Sequence, residues 1–191
     1  MEFEYDVKEN EILLKRCYGT EERIEVPAQI EGMPVTVLAP YIFSQARREP
    51  DQKAAICGNQ VKEIVLPDTV REIGNYAFYG CYYLEALTLS HRTHDIAGGA
   101  FTGCRHLKNL TFRMEQAEGY CMKDVLSEVH HELKVKLVYP NAVCTLLFPE
   151  YYEEAVENTP ARQLETQFHG SGYSYRQCFQ DGVFQFGEYD R

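Results

Sequence analysis

Tryptophan is absent from this 191-residue chain, and basic side chains are few. Lysine and arginine together number 19 against 29 aspartates and glutamates, which gives a formal net charge of -10. Affinity for nucleic acids comes largely from lysine and arginine contacts with phosphates. This charge balance therefore argues against a nucleic-acid partner.

Long apolar runs are also missing. No stretch approaches the roughly 18 consecutive apolar residues of a membrane-spanning helix. The chain begins Met1-Glu2-Phe3-Glu4, without the basic start and apolar stretch of a signal peptide. We therefore expect a cytoplasmic protein with no membrane span. A cell-surface or secreted protein is the alternative if a signal peptide has been trimmed.

Cysteines with the spacing of metal ligands are absent as well. The chain has seven cysteines, an odd number, and none forms a Cys-x-x-Cys pair. They are Cys17, Cys57, Cys81, Cys104, Cys121, Cys144 and Cys178. A chain of this length does not need disulfides to hold its core, so the pattern favours reduced thiols, no metal site and no cofactor.

A self-similarity of 23 residues is the clearest positive feature. Three pairs of residues are separated by this interval: Phe78 and Phe101, Cys81 and Cys104, and Leu84 and Leu107. A fixed period of this length indicates a stacked repeat. Within the repeat, Ile64 and Leu66 alternate with outward residues and precede Pro67, which predicts a short strand ended by a turn.

Weaker copies of this template extend the repeat in both directions. Upstream, the template recurs from Ile24 with an inserted segment, Gln45 to Gln60, which we expect to be an exposed loop. Downstream, Leu110–Phe112 and Leu137–Val143 predict two further strand positions, and apolar residues at helical spacing predict a helix over Met122–His131. Residues 1–19 are expected to form an opening hairpin.

The segment Val61–Cys104 resembles the BspA-like leucine-rich repeat family. The residues that carry the resemblance are Leu66-Pro67, Val70, Ile73-Gly74, Ala77-Phe78 and Cys81. The resemblance implies an α+β fold, a short solenoid of about five coils with parallel strands. It also implies recognition of proteins, often at bacterial surfaces, without catalysis. We divide the chain into a solenoid with its hairpin cap, 1–143, and a C-terminal capping subdomain, 144–191.

The C-terminal subdomain is rich in aromatic residues and lacks the repeat. Apolar spacing predicts a helix over Pro149–Asn158, and Thr159-Pro160 should end it. Two strands, Tyr173–Phe179 and Val183–Phe186, are expected around the hairpin signal Asp181-Gly182.

Candidate contact residues follow from the geometry of stacked coils, in which outward strand residues line up into one surface. The strand positions are Arg23, Glu25, Lys62, Glu63, Glu85, Thr88, Lys108, Asn109, Lys134 and Lys136. Because interface hot spots are enriched in tyrosine, a second set is Tyr79, Tyr82, Tyr83, Tyr151 and Tyr152. The alternative is that these tyrosines only pack the coil edges and the cap.

The function that these observations favour is a non-catalytic protein-interaction module. A thiol-dependent enzyme or redox protein that uses Cys178 and His169 is one alternative, because a thiol needs a nearby base to become a nucleophile. A self-assembling structural protein is another. Cys81 and Cys104 should lie one above the other in successive coils, as reduced thiols.

Overall fold

The structure is a computed structural model and describes residues 1–46, 56–115, 120–158 and 162–191. Most of the inserted segment predicted to be an exposed loop, Gln45 to Gln60, lies outside the described residues. Within the described part there are sixteen strands: β1 Glu2–Lys8, β2 Glu11–Tyr18, β3 Arg23–Glu25, β4 Gln29–Ile30, β5 Met33–Leu38, β6 Glu63–Val65, β7 Glu72–Ile73, β8 Ala86–Ser90, β9 Asp95–Ile96, β10 Asn109–Arg113, β11 Leu133–Tyr139, β12 Ala142–Phe148, β13 Tyr152–Asn158, β14 Gln163–His169, β15 Phe179–Gln180 and β16 Val183–Phe184. The helices there are α1 Tyr120–Glu128, α2 Gly172–Arg176 and α3 Phe186–Tyr189, with one 3₁₀ turn, Cys57–Asn59.

The chain is a solenoid built from two facing sheets. One sheet has the order β12-β11-β10-β8-β6-β3, and the pairs from β3 to β11 are parallel. The other has the order β1-β2-β5-β7-β9, with β4 paired to β5. The coils that contribute β3, β6 and β8 to the first sheet contribute β5, β7 and β9, respectively, to the second, whereas α1 follows β10. The predicted parallel solenoid is confirmed.

The core of the solenoid consists of ladders of equivalent residues. Cross-strand register aligns one such ladder, whose members are Ile24, Ile64, Leu87, Leu110 and Val135. All of them are buried. Burial of apolar side chains contributes about 25 cal/mol for each Å² removed from water, so this ladder stabilises the stacking of the coils.

An aromatic ladder runs along the segments that follow β5, β7 and β9 and lead to the first-sheet strand of the next coil. We call them the return segments. The rings of Phe43 and Phe78 lie 5.3 Å apart with planes at 13°, and those of Phe78 and Phe101 lie 5.2 Å apart at 10°. Backbone hydrogen bonds join the same segments, with Phe43 N donating to Ala77 O and Phe78 N donating to Ala100 O. Residues that recur in the sequence therefore make equivalent contacts in successive coils.

The two ends of the solenoid are closed differently. As predicted, residues 1–19 form an antiparallel hairpin, β1–β2, and β2 pairs with β5. At the other end, Pro140 and Asn141 turn the chain directly into β12, which pairs antiparallel with β11. The strand predicted within Leu137–Val143 is confirmed as far as Tyr139, in β11, but the repeat template does not continue through Val143, because this turn returns the chain along the same sheet. Strand β12 also spans residue 143, and the division of the chain there stays a prediction.

Three expectations for the last fifty residues need correction or refinement. The predicted helix over Pro149–Asn158 is wrong, because residues 152–158 pair with residues 163–169 as the β13–β14 hairpin. The predicted strand over Tyr173–Phe179 is wrong, since its first part lies in α2. The hairpin at Asp181-Gly182 is confirmed as β15–β16, although the second strand ends at Phe184 and α3 follows. The helix predicted over Met122–His131 is confirmed as α1, although it begins at Tyr120 and ends at Glu128.

Arg176 joins the C-terminal segment to the last coil. Its guanidinium donates hydrogen bonds to four backbone oxygens, those of Val129 at 3.2 Å, His131 at 2.9 Å, Gly172 at 2.9 Å, and Pro149. The side chain is buried. Burial lowers the pKa of this arginine, but its ordinary pKa is so high that the charge remains at neutral pH.

Candidate interaction surfaces

The first surface, which we call the strand face, consists of the outward residues of β3, β6, β8, β10 and β11 and of the residues that precede these strands. Register places Arg23, Glu63, Ala86, Asn109 and Lys134 in one row. A second row contains Glu25, Val65, Thr88, Thr111 and Lys136, and Lys62, Glu85 and Lys108 lie at the start of their coils. Their outward placement agrees with the prediction, and their role in binding stays a prediction.

Charge on the strand face changes along the solenoid. At the N-terminal end, exposed charges pair with each other, with Arg23 Nε 3.0 Å from Glu63 Oε2 and Lys62 Nζ 2.9 Å from Glu22 Oε2. At the other end, Lys108, Lys134 and Lys136 make no ion pair with another described residue. Glu132 and Glu150 lie beside Lys108 and Lys134, so this end carries charges of both signs, which suits the polar rim of an interface.

The second surface lies along the return segments. We call it the tyrosine edge and define it by Tyr41, Tyr76, Tyr79, Tyr82 and Tyr83. The exposed fraction is 38% for Tyr76, 38% for Tyr79, 45% for Tyr82 and 54% for Tyr83. Within the described part of the chain, no hydrogen bond engages any of these five phenol groups. The tyrosine edge therefore offers a large aromatic area together with tyrosine hydroxyl groups that make no hydrogen bond to described residues, a combination that suits protein interfaces.

The rings of the tyrosine edge support one another. Tyr41 and Tyr76 stack with centroids 5.2 Å apart and planes at 21°, and Tyr79 meets Tyr76 edge-on at 5.8 Å. Farther along, Tyr82 packs edge-on against Tyr83 at 5.2 Å. Rings held by their neighbours lose little conformational entropy when a partner binds.

Two of these tyrosines have an unfavourable backbone conformation. Tyr41 has a φ of 61° and Tyr76 a φ of 57°, in the left-handed region that bulky residues rarely adopt. The same position in the next coil is Gly99, whose φ is 75°. A Cβ at Gly99 would lie 2.4 Å from Tyr76 Cε1, so the ring of Tyr76 lies over the backbone of this glycine. Glycine would adopt the positive φ without strain at all three positions, yet two of them carry tyrosine.

Sequence reasoning missed Tyr41 and Tyr76. Both come directly before the buried apolar pair of their coils, Ile42-Phe43 and Ala77-Phe78. Alignment of the coils on these phenylalanines places the two tyrosines at one position, and this was the available signal. Their positive φ was not visible in the sequence, because glycine is the residue that usually marks that conformation.

Tyr151 and Tyr152 do not belong to this edge. Tyr151 is only 6% exposed and lies under the Arg176 guanidinium, with 5.1 Å from Cζ to the ring centroid. Tyr152 is exposed but lies in β13, where its ring stacks on His169 at 4.9 Å. The structure thus separates the predicted aromatic set into an edge of the solenoid, a buried cap residue and a hairpin residue.

Cys178 and His169 do not form a catalytic pair in this structure. Cys178 Sγ contacts Ser174 O at 3.6 Å, and His169 Nε2 lies 3.3 Å from Glu154 Oε2. Burial and the charge of Glu188 raise the pKa of the Cys178 thiol. A nucleophilic cysteine needs the opposite shift, so this geometry gives no support to thiol catalysis at this position.

A cleft of about 550 Å³ lies between the turns of successive coils, beside Thr36, Thr69 and His94. Its charged walls neutralise each other, since Arg71 Nη2 lies 2.6 Å from Glu11 Oε2 and Arg92 Nη2 lies 3.0 Å from Glu115 Oε1. Among the described residues no cluster of three or more metal-ligating side chains occurs. No helix in the same residues has the length and apolar character to cross a membrane.

Comparison with known proteins agrees with this architecture. Residues 52–139 match the family model described as "BspA type Leucine rich repeat region (6 copies)". Among curated proteins, none matches this chain.

Two solved structures are similar to part of the chain. The leucine-rich repeat protein of T. pallidum is 24% identical over 59% of this chain and 51% of its own, with a TM-score of 0.49. A leucine-rich cell surface protein from Faecalibacterium prausnitzii A2-165 is 20% identical over 72% of this chain and 41% of its own, with a TM-score of 0.42. This chain therefore corresponds to about half or less of those chains. On the family match and the observed coils, the repeats within residues 52–139 are BspA-type leucine-rich repeats.

Proposed function

We propose that this chain is a non-catalytic protein-binding module whose main contact surface is the tyrosine edge. The observation that carries the proposal is the retention of tyrosines at positive φ, the half-buried Tyr41 and the exposed Tyr76, where glycine occupies the equivalent position of the next coil. Backbone strain of this kind clusters at functional positions. Leucine-rich repeat folds are typically non-catalytic, and their stacked coils give an extended surface for partners.

The strand face supplies the surroundings of this contact. Tyr83 lies two residues before Glu85, and His106, whose Nδ1 lies 2.7 Å from Tyr82 O, lies two residues before Lys108. The tyrosine edge therefore leads directly to the charged row of the strand face. Central aromatic anchors with a charged, hydrated rim are the usual anatomy of a protein interface.

A double substitution, Tyr41→Gly with Tyr76→Gly, separates binding from stability. It removes both rings and relieves the backbone strain, so we expect the thermal midpoint to change little. If the tyrosine edge binds the partner, the affinity should fall by roughly 30-fold or more, as at interface hot spots. The measurement is affinity capture from native lysate with mass spectrometry, followed by titration of the captured partner against purified variants.

Two comparisons control this experiment. Asn10→Gly changes another residue of positive φ, at 66°, in the β1–β2 turn and should leave binding unchanged. Reversal of Lys62, Glu85 and Lys108 should weaken binding less and mainly alter its salt dependence. Undiminished affinity in the Tyr41 and Tyr76 double variant would reject the tyrosine edge. Loss confined to the charge reversals would assign the contact to the strand face instead.

Self-association is a second candidate function, favoured by the β13–β14 hairpin. Nearly all of its described side chains are exposed, Leu164 to 74%, and no other described strand pairs with either of its strands. A two-stranded hairpin alone is marginally stable in water, and its open edges can pair with another chain.

Sedimentation velocity tests this second candidate. We expect the chain to dimerise as concentration rises through the micromolar range, and Leu164→Glu to keep it monomeric. Gln167→Glu adds the same charge to the other face of β14 and should leave the dimer intact. A wild-type chain that stays monomeric at all concentrations contradicts the candidate function.

A further inference from the structure

Two buried thiols face each other where the N-terminal hairpin meets the solenoid. Cys17 lies near the end of β2, and Cys57 begins the 3₁₀ turn that leads into the next coil. Their Sγ atoms are 3.1 Å apart, and both residues have no solvent exposure. The residues are 40 positions apart in sequence, so the contact belongs to the tertiary structure.

The backbone independently places these cysteines opposite each other. Tyr18 and Ile56 form an antiparallel bridge. In antiparallel pairing, the residue before one partner lies opposite the residue after the other, so Cys17 faces Cys57. Directly opposed residues have Cβ atoms about 4.5–5.5 Å apart, and a disulfide needs about 3.5–4.5 Å. A small approach of the two backbones is therefore sufficient for a covalent bond.

The other cysteines that contact the backbone have different geometry. In successive coils Cys104 Sγ contacts Phe78 O at 3.2 Å and Cys81 Sγ contacts Phe43 O at 3.9 Å, so each thiol is directed at the preceding coil. Burial raises the pKa of Cys104 and of Cys121 to about 12. The hydrogen bond from Cys17 lowers the pKa of Cys57, which makes Cys57 the better nucleophile.

We propose that Cys17 and Cys57 form an intramolecular disulfide when the chain meets a peroxide. The Cys57 thiolate attacks one peroxide oxygen, the O–O bond breaks, and Cys57 becomes a sulfenic acid. The Cys17 sulfur then attacks the Cys57 sulfur, and the S–O bond breaks with release of water. In total, two thiols and one hydrogen peroxide give one disulfide and two water molecules, so the thiols are oxidised and the peroxide is reduced.

The bond would tie the N-terminal cap to the solenoid. It closes the segment between residues 17 and 57, which includes β3, β4 and β5, and so limits the freedom of the unfolded chain. For a loop of this length we expect the thermal midpoint to rise by roughly 10 °C on oxidation and to return on reduction.

Treatment of the reduced full chain with hydrogen peroxide tests the proposal. The count of free thiols, seven before treatment, should fall by two, and peptide mapping should find one peptide pair joined through Cys17 and Cys57. Cys17→Ser should lose the bond and leave a sulfenic acid on Cys57 that dimedone traps. Cys144→Ser, which changes a half-buried thiol elsewhere, should retain both the bond and the rise in midpoint.

Peptide mapping of the oxidised wild-type chain identifies the bonded cysteines directly. The result therefore does not depend on whether a variant folds. A bond that joins any other pair of cysteines overturns the proposal. So does retention of all seven thiols, or oxidation of Cys57 to sulfinic acid without the bond to Cys17.

Discussion

Replacement of Arg176 by alanine is expected to lower the free energy of unfolding by about 3 kcal/mol, because hydrogen bonds from a charged donor are strong and their loss leaves buried carbonyls unpaired. Those carbonyls come from four places: the end of α1, the loop after it, the turn after β12 and the first turn of α2. The Arg176 side chain also lies over the rings of Phe148 and Tyr151. Urea unfolding measures the loss, and hydrogen exchange should increase in α2 and in β15–β16.

Two variants place this result in context. Arg176→Lys keeps the charge but lacks the planar fork that reaches several carbonyls at once, so we expect it to lose an intermediate amount of stability. Arg105→Ala removes an exposed arginine and should change stability by less than about 0.5 kcal/mol. Equal stability of Arg176→Ala and the wild-type chain would show that these carbonyls do not depend on the guanidinium.

The second large effect is expected from Phe78→Ala, which should lower the free energy of unfolding by about 4 kcal/mol. Phe78 is the middle ring of the Phe43–Phe78–Phe101 ladder and is fully buried. In a solenoid each coil contacts mainly its neighbours, so a cavity here also weakens the coupling between the coils on either side. We therefore expect a lower midpoint and a broader transition in thermal unfolding followed by circular dichroism.

Tyr79→Ala is the matched control for Phe78→Ala. Tyr79 is the next residue along the chain and also carries a large ring, but that ring is exposed on the tyrosine edge. Removal of this ring should lower the free energy of unfolding by less than about 1 kcal/mol and should not broaden the thermal unfolding transition. If the two alanine variants lost equal stability, the aromatic ladder would not be the support that its geometry implies.

The repeat region could be predicted because its information is local and periodic. Ile64, Leu87 and Leu110 alternate with outward-facing residues in short strands, and equivalent residues recur at a fixed interval, so both the strands and their parallel stacking follow from the sequence pattern. The outward positions of the strand face follow from the same alternation. Helix α1 was predictable because its apolar residues recur at helical spacing.

The C-terminal segment was harder to predict because its structure depends on distant partners. Residues 152–158 contain apolar residues at helical spacing, but in the folded chain each of them pairs with a residue of 163–169. The short helix α2 brings Arg176 within reach of carbonyls from other parts of the chain. Short segments have weak intrinsic preferences, so tertiary contacts decided their conformation.

The sequence by itself determined that this chain stacks parallel coils with ladders of apolar residues in the core, because each coil repeats the same buried and exposed pattern. Only the tertiary structure decided which side chains meet across the insertions. It placed Cys17 against Cys57, buried Tyr151 under Arg176, and brought Tyr41 over Tyr76 at positive φ. The first two contacts join residues that are not equivalent in the repeat, so periodicity carries no information about them. Tyr41 and Tyr76 do occupy equivalent positions, but periodicity gives no sign of their positive φ.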